Sequence, residues 1–270
     1  MALAAFDRRR INGPDESFPP VFDESESADT SYSSWTVGEA RQGRQPLDIR
    51  PICAQVVLKA GLISQANGSA YIETERTKVA CAVYGPRQSK NTGYNENGRL
   101  NVEVKFAPFS CGKRRAPLRD AEDRSIAVLI QQALIPSVRL ELLPKSVIDI
   151  FITVIECDGI EGCIAVASVA ASTALADARI ELLGLAVACS ACVVNREIWL
   201  DPTEEEGHLA EGSLVFACIP ALGIVTNTWQ TGRILPQDTL QCLESCQERC
   251  TDIHQIVSRA LLDSAEKSIT

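Results

Sequence analysis

Residues 147–178 read VIDIFITVIECDGIEGCIAVASVAASTALADA. The first nine, from Val147 to Ile155, are β-branched and apolar apart from Asp149, as a central strand requires. Glu156-Cys157-Asp158-Gly159-Ile160-Glu161-Gly162 follows, a polar turn with two glycines. From Cys163 onward the residues are small and helix-compatible, with alanine at 165, 167, 170, 171, 174 and 176. The stretch predicts a strand, a tight loop and a closely packed helix. A loop feeding a helix N-terminus has the shape of an anion site, because the first backbone N–H groups are unpaired and the dipole is positive there. This loop carries Asp158 and Glu161 and no Lys or Arg, so the shape and the charge disagree.

Around it, 270 residues are enough for one large domain or two small ones. A hydrophobic share of 46% with 23% charged residues describes a globular chain. The net charge of -9 excludes a uniformly basic nucleic-acid binder but leaves room for a local basic patch. Eleven cysteines, an odd number, are scattered through apolar stretches, and no signal peptide is apparent; free thiols in a reducing compartment are expected. The apolar run near 182–194 is too short to span a bilayer, so no membrane partner is expected.

Residues 1–45 hold Pro14, Pro19, Pro20, many Ser, Asp and Glu and few aliphatics, and read as a flexible polar tail. Strands are expected at 52–58, 78–84 and 101–106, with a hairpin turning at Asn67-Gly68. A helix is expected over about 121–134, from the apolar spacing of Ile126, Leu129, Ile130 and Ala133, ending at Pro136. Further strands are expected at 185–194, 197–201, 213–219 and 223–228, with a solvated acidic loop at 202–212. A long final helix carries Leu243, Cys246, Cys250, Ile253, Val257 and Leu261 on one stripe, capped by Asp238 and Thr239. The order strands, helix, strand, helix, strands, helix argues an α/β (α+β two-layer) fold in two similar halves, about 46–180 and 181–270.

The densest basic cluster is Lys113, Arg114, Arg115, Arg119 and Arg124. Phosphate contacts need only such cations, so these five are the candidate RNA-binding residues; the competing expectation is a surface on which they pair with Asp120 and Glu122. Cys242, Cys246 and Cys250 are spaced by four, and Cys189 and Cys192 by three, but neither set has the second ligand pair of a structural zinc site, so both are expected in the core. His208 and His254 stand alone, and no nucleophilic triad is indicated. No cofactor and no metal site are expected.

Several segments together resemble the RNase PH family. They are residues 67–73, NGSAYIE; 77–87, TKVACAVYGPR; 98–101, GRLN; 174–178, ALADA; and 200–206, LDPTEEE. The resemblance covers about 48 to the C-terminus, and residues 85–89 and 113–117 are similar to the eukaryotic exosome core-ring members. It implies an RNase PH-like fold of two βαβ-type halves, with helices packed on mixed sheets. It implies a chemistry in which phosphate attacks the 3′-terminal phosphodiester of RNA. That chemistry needs an arginine before the central helix and a pair of aspartates after the second-half hairpin, because anions brought together must be neutralised and a metal needs hard oxygen ligands. The arginine position falls on Gly162 and the aspartates on Gly207 and Ser213. The resemblance therefore implies a catalytically inactive structural subunit of an RNA exosome ring. Its implied partners are other RNase PH-type subunits in a hexamer, S1/KH cap subunits, single-stranded RNA and associated hydrolytic nucleases, in nucleus, nucleolus and cytoplasm. An active phosphate-dependent 3′-to-5′ exoribonuclease and a free-standing RNA-binding protein are the alternatives.

Overall fold

The computed structural model describes residues 41, 43–50, 59–88, 95–112, 114–115 and 121–269, with the side chains of 121 and 267–269 excepted. The strand expected at 52–58 lies outside them. The first sheet is built from β1 (Lys59–Ala60), β2 (Gly68–Thr74), β3 (Thr77–Gln88), β4 (Arg99–Phe106) and β5 (Ser146–Glu156), in the order β1-β2-β3-β5-β4. Its pairs are antiparallel except β4 with β5, which runs parallel from Arg99 opposite Val147 to Phe106 opposite Val154. A parallel pair needs a crossover, and α1 (Ala121–Leu134) supplies it. Along β5, Ile148, Ile150, Ile152 and Val154 are buried under the helices, while Asp149, Phe151 and Thr153 face outward.

Asn67-Gly68 is not the tight turn that the sequence suggests. Gly68 already belongs to β2, and its φ is not positive. A Cβ there would lie 2.3 Å from the Ala178 nitrogen and 2.4 Å from the Ala174 oxygen. Glycine is required because β2 crosses the C-terminal end of α2 (Ile160–Asp177) at backbone contact. Asp177 completes the junction, its Oδ2 accepting from the backbone nitrogens of Gly61 at 3.0 Å and Ser69 at 2.9 Å.

The second sheet holds β6 (Val187–Val194), β7 (Glu197–Leu200), β8 (Gly212–Ile219) and β9 (Ile224–Gly232) in the order β7-β6-β8-β9. All its pairs are antiparallel, so the parallel βαβ unit is confined to the first half. Every residue of β6 and β8 is buried. The reason is that both faces are covered: Ala188 and Ala217 meet Ala133 of α1 and Ala165 of α2, whereas Cys189 and Cys218 touch Cys246 and Cys250 on α4 (Pro236–Ile269). α2 is long and apolar enough to cross a membrane, but it is a core helix, packed against both sheets and mostly buried.

Two element boundaries differ from the sequence reading. The acidic stretch after β7 is largely helical, α3 (Glu204–Leu209), because Thr203 and Glu206 form a capping box. α4 starts at Pro236, whose missing N–H costs nothing in the first turn, so Asp238 and Thr239 lie inside the helix rather than capping it. The expected cysteine stripe is core: Cys242, Cys246 and Cys250 are fully buried.

Candidate functional site

A cleft of 1420 Å³ runs between the edge strand β4, the start of α1, the loop before α2, and α3. At its inner end Gly159, with φ 95°, turns the chain from β5 into α2. An added Cβ would sit 3.3 Å from the Pro202 oxygen, so the loop presses against the start of α3. Asp158 ties the two together, its Oδ1 accepting from the Glu204 nitrogen at 3.1 Å.

The cation missing from this loop arrives from elsewhere. Arg50, 2% exposed, donates through Nη1 to Asp158 Oδ2 at 2.7 Å. It grips Asp201 bidentately, Nη2 to Oδ1 at 2.7 Å and Nε to Oδ2 at 2.8 Å. Its backbone nitrogen donates to the same carboxylate at 2.9 Å. Beside this pair lies a second: Arg41 donates to Glu206 Oε1 at 2.8 Å and Oε2 at 2.7 Å, and Arg44 joins at 3.3 Å. The Arg41 guanidinium also lies 5.7 Å from the Trp199 ring centroid. Burial disfavours charge on Asp201 and Glu206, but the hydrogen bonds and fields of Arg50 and Arg41 outweigh it and hold both carboxyls below their usual range. Three arginines and three carboxylates thus neutralise one another. Within residues 1–45, Arg41 and Arg44 are held by their ion pairs to Glu206.

The positions at which the resemblance places catalytic groups fall on this network or beside it. A Cβ on Gly162 would lie 3.2 Å from Arg50 Nη2 and 3.4 Å from Asp201 Oδ1. Gly207 is on α3 with open space beyond it. Ser213 is buried in β8, donating to Glu161 Oε1 at 2.8 Å and sharing a hydrogen bond with Thr231 at 2.7 Å. Glu206 is not part of a solvated acidic loop; it is 1% exposed and held by Arg41. Among the described residues no three His, Cys, Asp or Glu side chains converge as metal ligands.

The outer rim carries the basic cluster. Arg114 and Arg124 are exposed on the cleft, and neither makes an ion pair with a described residue. Arg115 is different. Its guanidinium stacks 4.1 Å from the Phe106 centroid and pairs with Glu122 at 3.2 Å and Asp123 at 3.5 Å. Arg115 thus makes the intramolecular pairing with Glu122 that is one of its two expectations, and Asp123 joins it. Lys113 and Arg119 lie outside the described residues. Among the described residues lining the cleft, Lys105, Arg114, Arg115 and Arg124 stand with Glu103, Glu122, Asp123, Asp149, Glu161 and Glu204, so the lining as a whole is not basic and its exposed arginines are at the Arg114–Arg124 rim.

Comparison with known proteins fits this architecture. Domain 1 of the 3′ exoribonuclease family, RNase PH, matches residues 49–181, and domain 2 of that family matches 184–249. The chain belongs to the RNase PH family. Its RNase PH relatives include exosome complex component mtr3 of Schizosaccharomyces pombe, 35% identical, covering 97% of this chain and 98% of that one. Exosome complex component MTR3 of Homo sapiens is 34% identical over 97% of this chain and 96% of the relative. Among solved structures, Rrp46 of rice (Oryza sativa) superposes with TM-score 0.71 at 22% identity, covering 81% of this chain and 98% of that chain. An Archaeoglobus fulgidus exosome with RNA bound to the active site gives TM-score 0.69 at 17% identity, covering 80% and 92%. The RNase PH motifs are also joined in space: the segment from Asn67 meets Ala174–Ala178 at the β2–α2 crossing, and Asp201 meets Arg50.

The sequence reading missed Arg41, Arg44 and Arg50. One signal was present, the Thr203-x-x-Glu206 capping pattern that predicts α3.

Proposed function

We propose that this chain is a non-catalytic structural subunit of an RNA exosome core ring, supporting 3′-to-5′ RNA processing and degradation by helping to form the RNA-threading pore. One observation carries the loss of catalysis: at the end of the cleft where phosphorolysis needs an unpaired cation, Arg50 is locked between Asp158 and Asp201. An arriving phosphate would have to compete with two carboxylates for it, and would meet Glu161 nearby. Gly207 and Ser213 supply no carboxylate where the aspartate pair would stand. Near-full-length similarity to MTR3 exosome components supports the ring assignment. Its partners in this reading are other RNase PH-type subunits, S1/KH cap subunits, single-stranded RNA along the Arg114–Arg124 rim, and hydrolytic nucleases that perform the cleavage. The place of action is nucleus, nucleolus and cytoplasm.

The test is incubation of the pure chain with 3′-hydroxyl RNA, Mg²⁺ and phosphate, alongside purification of the native complex. No nucleoside diphosphate release, and co-purification with other ring subunits, are expected. Steady diphosphate release that requires added phosphate and co-elutes with the pure chain would establish an active phosphorolase instead. A monomer that binds RNA tightly without ring partners would establish a free-standing binder.

A further inference from the structure

We infer that Cys111 and Cys157 form a reversible disulfide on the floor of the cleft when the protein meets a hydroperoxide. Both residues line the cleft. Cys111 follows β4 and is half-buried; Cys157 follows β5 and is 8% exposed. The two thiols lie near enough to perturb each other's proton affinity. The backbones are pinned next to each other, the Cys157 nitrogen donating to the Ser110 oxygen at 2.8 Å. That bond sets the two residues side by side on adjoining segments, the arrangement from which a disulfide can close. The described cysteines are free thiols. Cys157 also has Cys163 of α2 beside it, but Cys163 is fully buried; the pairs Cys189 with Cys246 and Cys218 with Cys250 are sealed between the second sheet and α4, where an aqueous oxidant has no path.

The chemistry balances as follows. Cys111 is the more exposed sulfur and carries a nearby cation, Arg115 Nε donating to its Sγ at 3.3 Å, which favours the thiolate. The thiolate attacks one peroxide oxygen, the O–O bond breaks and water leaves, giving a sulfenic acid. The Cys157 sulfur attacks that sulfur, the S–O bond breaks and a second water leaves. Two sulfurs lose two electrons and two protons, and the hydroperoxide takes them up. The contact with Cys157, together with burial, pushes the Cys111 thiol up. The reaction is therefore slower than at a dedicated peroxide sensor and needs sustained oxidant. The product ties the connection after β4 to the loop before α2, fixing the spacing of the two segments at the cleft floor. None of this depends on the ring or RNA reading, because the measured quantity is sulfur connectivity.

The test treats the purified full-length chain with graded hydrogen peroxide, blocks remaining thiols, and maps peptides without reduction. A Cys111–Cys157 linked peptide is expected, with titratable thiols falling from 11 to 9 per chain and returning on reduction. Cys111→Ser and Cys157→Ser should each abolish the linked peptide, and Cys157→Ser should leave Cys111 as a stable sulfenic or mixed-disulfide adduct. Wild-type mapping alone decides the matter if a variant fails to fold. Links at other cysteines only, or Cys111 oxidised in the wild type without joining Cys157, would overturn the inference.

Discussion

The two ends of the cleft handle arginine in opposite ways. At the inner end Arg41 and Arg50 are buried, each bidentate to a carboxylate from a distant part of the chain. At the outer rim Arg114 and Arg124 face water with no described partner, and Arg115 stands between the two modes. The same residue type is structural where desolvation forces a partner on it and available for a ligand where water already solvates it. One cleft can therefore commit its arginines to internal ion pairs at one end and leave them open to water at the other.

The sharpest way to break this contrast is at Arg50. Arg50→Ala leaves Asp158 and Asp201 facing each other without their cation, and should destabilise the fold by about 3–5 kcal/mol in urea unfolding. A loss under about 1 kcal/mol would mean that water replaces the pair, and the inner end would then resemble the rim. Glu206→Ala should follow at about 2–4 kcal/mol, since it removes the partner of Arg41 and half of the capping box together.

Acid should expose the same network. Asp201 and Glu206 have folded-state carboxyls held below their unfolded values. Their contribution is complete above the unfolded range, near pH 4, and is lost as pH falls through the lower folded values. Stability curves measured from neutral pH downward should fall off below about pH 4 in the wild type. Arg50→Ala should flatten the part due to Asp201; an unchanged acid slope would remove Arg50 as its cause.

Arg115→Ala should cost about 1–2 kcal/mol through the lost stacking on Phe106 and the ion pairs to α1. The smallest stability effect belongs to Arg114→Ala with Arg124→Ala, within about 0.5 kcal/mol. In a reconstituted ring that double change should instead reduce the salt slope of single-stranded RNA binding by about 1.4 units, at roughly 0.7 per phosphate contact. An unchanged slope would remove the RNA role from the rim, and failed ring assembly would reassign it to a subunit interface.

How much of this was legible beforehand follows from the range over which each signal acts. The helix at 121–134 was placed to the residue, because Ile126, Leu129, Ile130 and Ala133 repeat at helical spacing within one segment. The strand over 147–155 was equally plain, its apolar residues being confined to a few neighbours in the chain. Gly68 was misread because Asn-Gly is a turn signal locally, while its actual constraint is Ala178, more than a hundred residues away. The acidic run 204–206 reads as solvated because a charge pattern does not disclose that Glu206 has a buried arginine opposite it.

By itself, then, the sequence determined the kinds and order of the elements, the absence of an arginine in the loop before α2, and the basic cluster that follows β4. Periodicity, turn chemistry and residue identity are properties of neighbours along the chain. Only the tertiary structure decided that Arg50 closes on Asp201, that Arg115 turns back onto Phe106 and α1, and that Cys111 meets Cys157. Coulombic and hydrogen-bond energies depend on separation in space and on local dielectric, and folding sets both for residues 151 apart in sequence as readily as for neighbours.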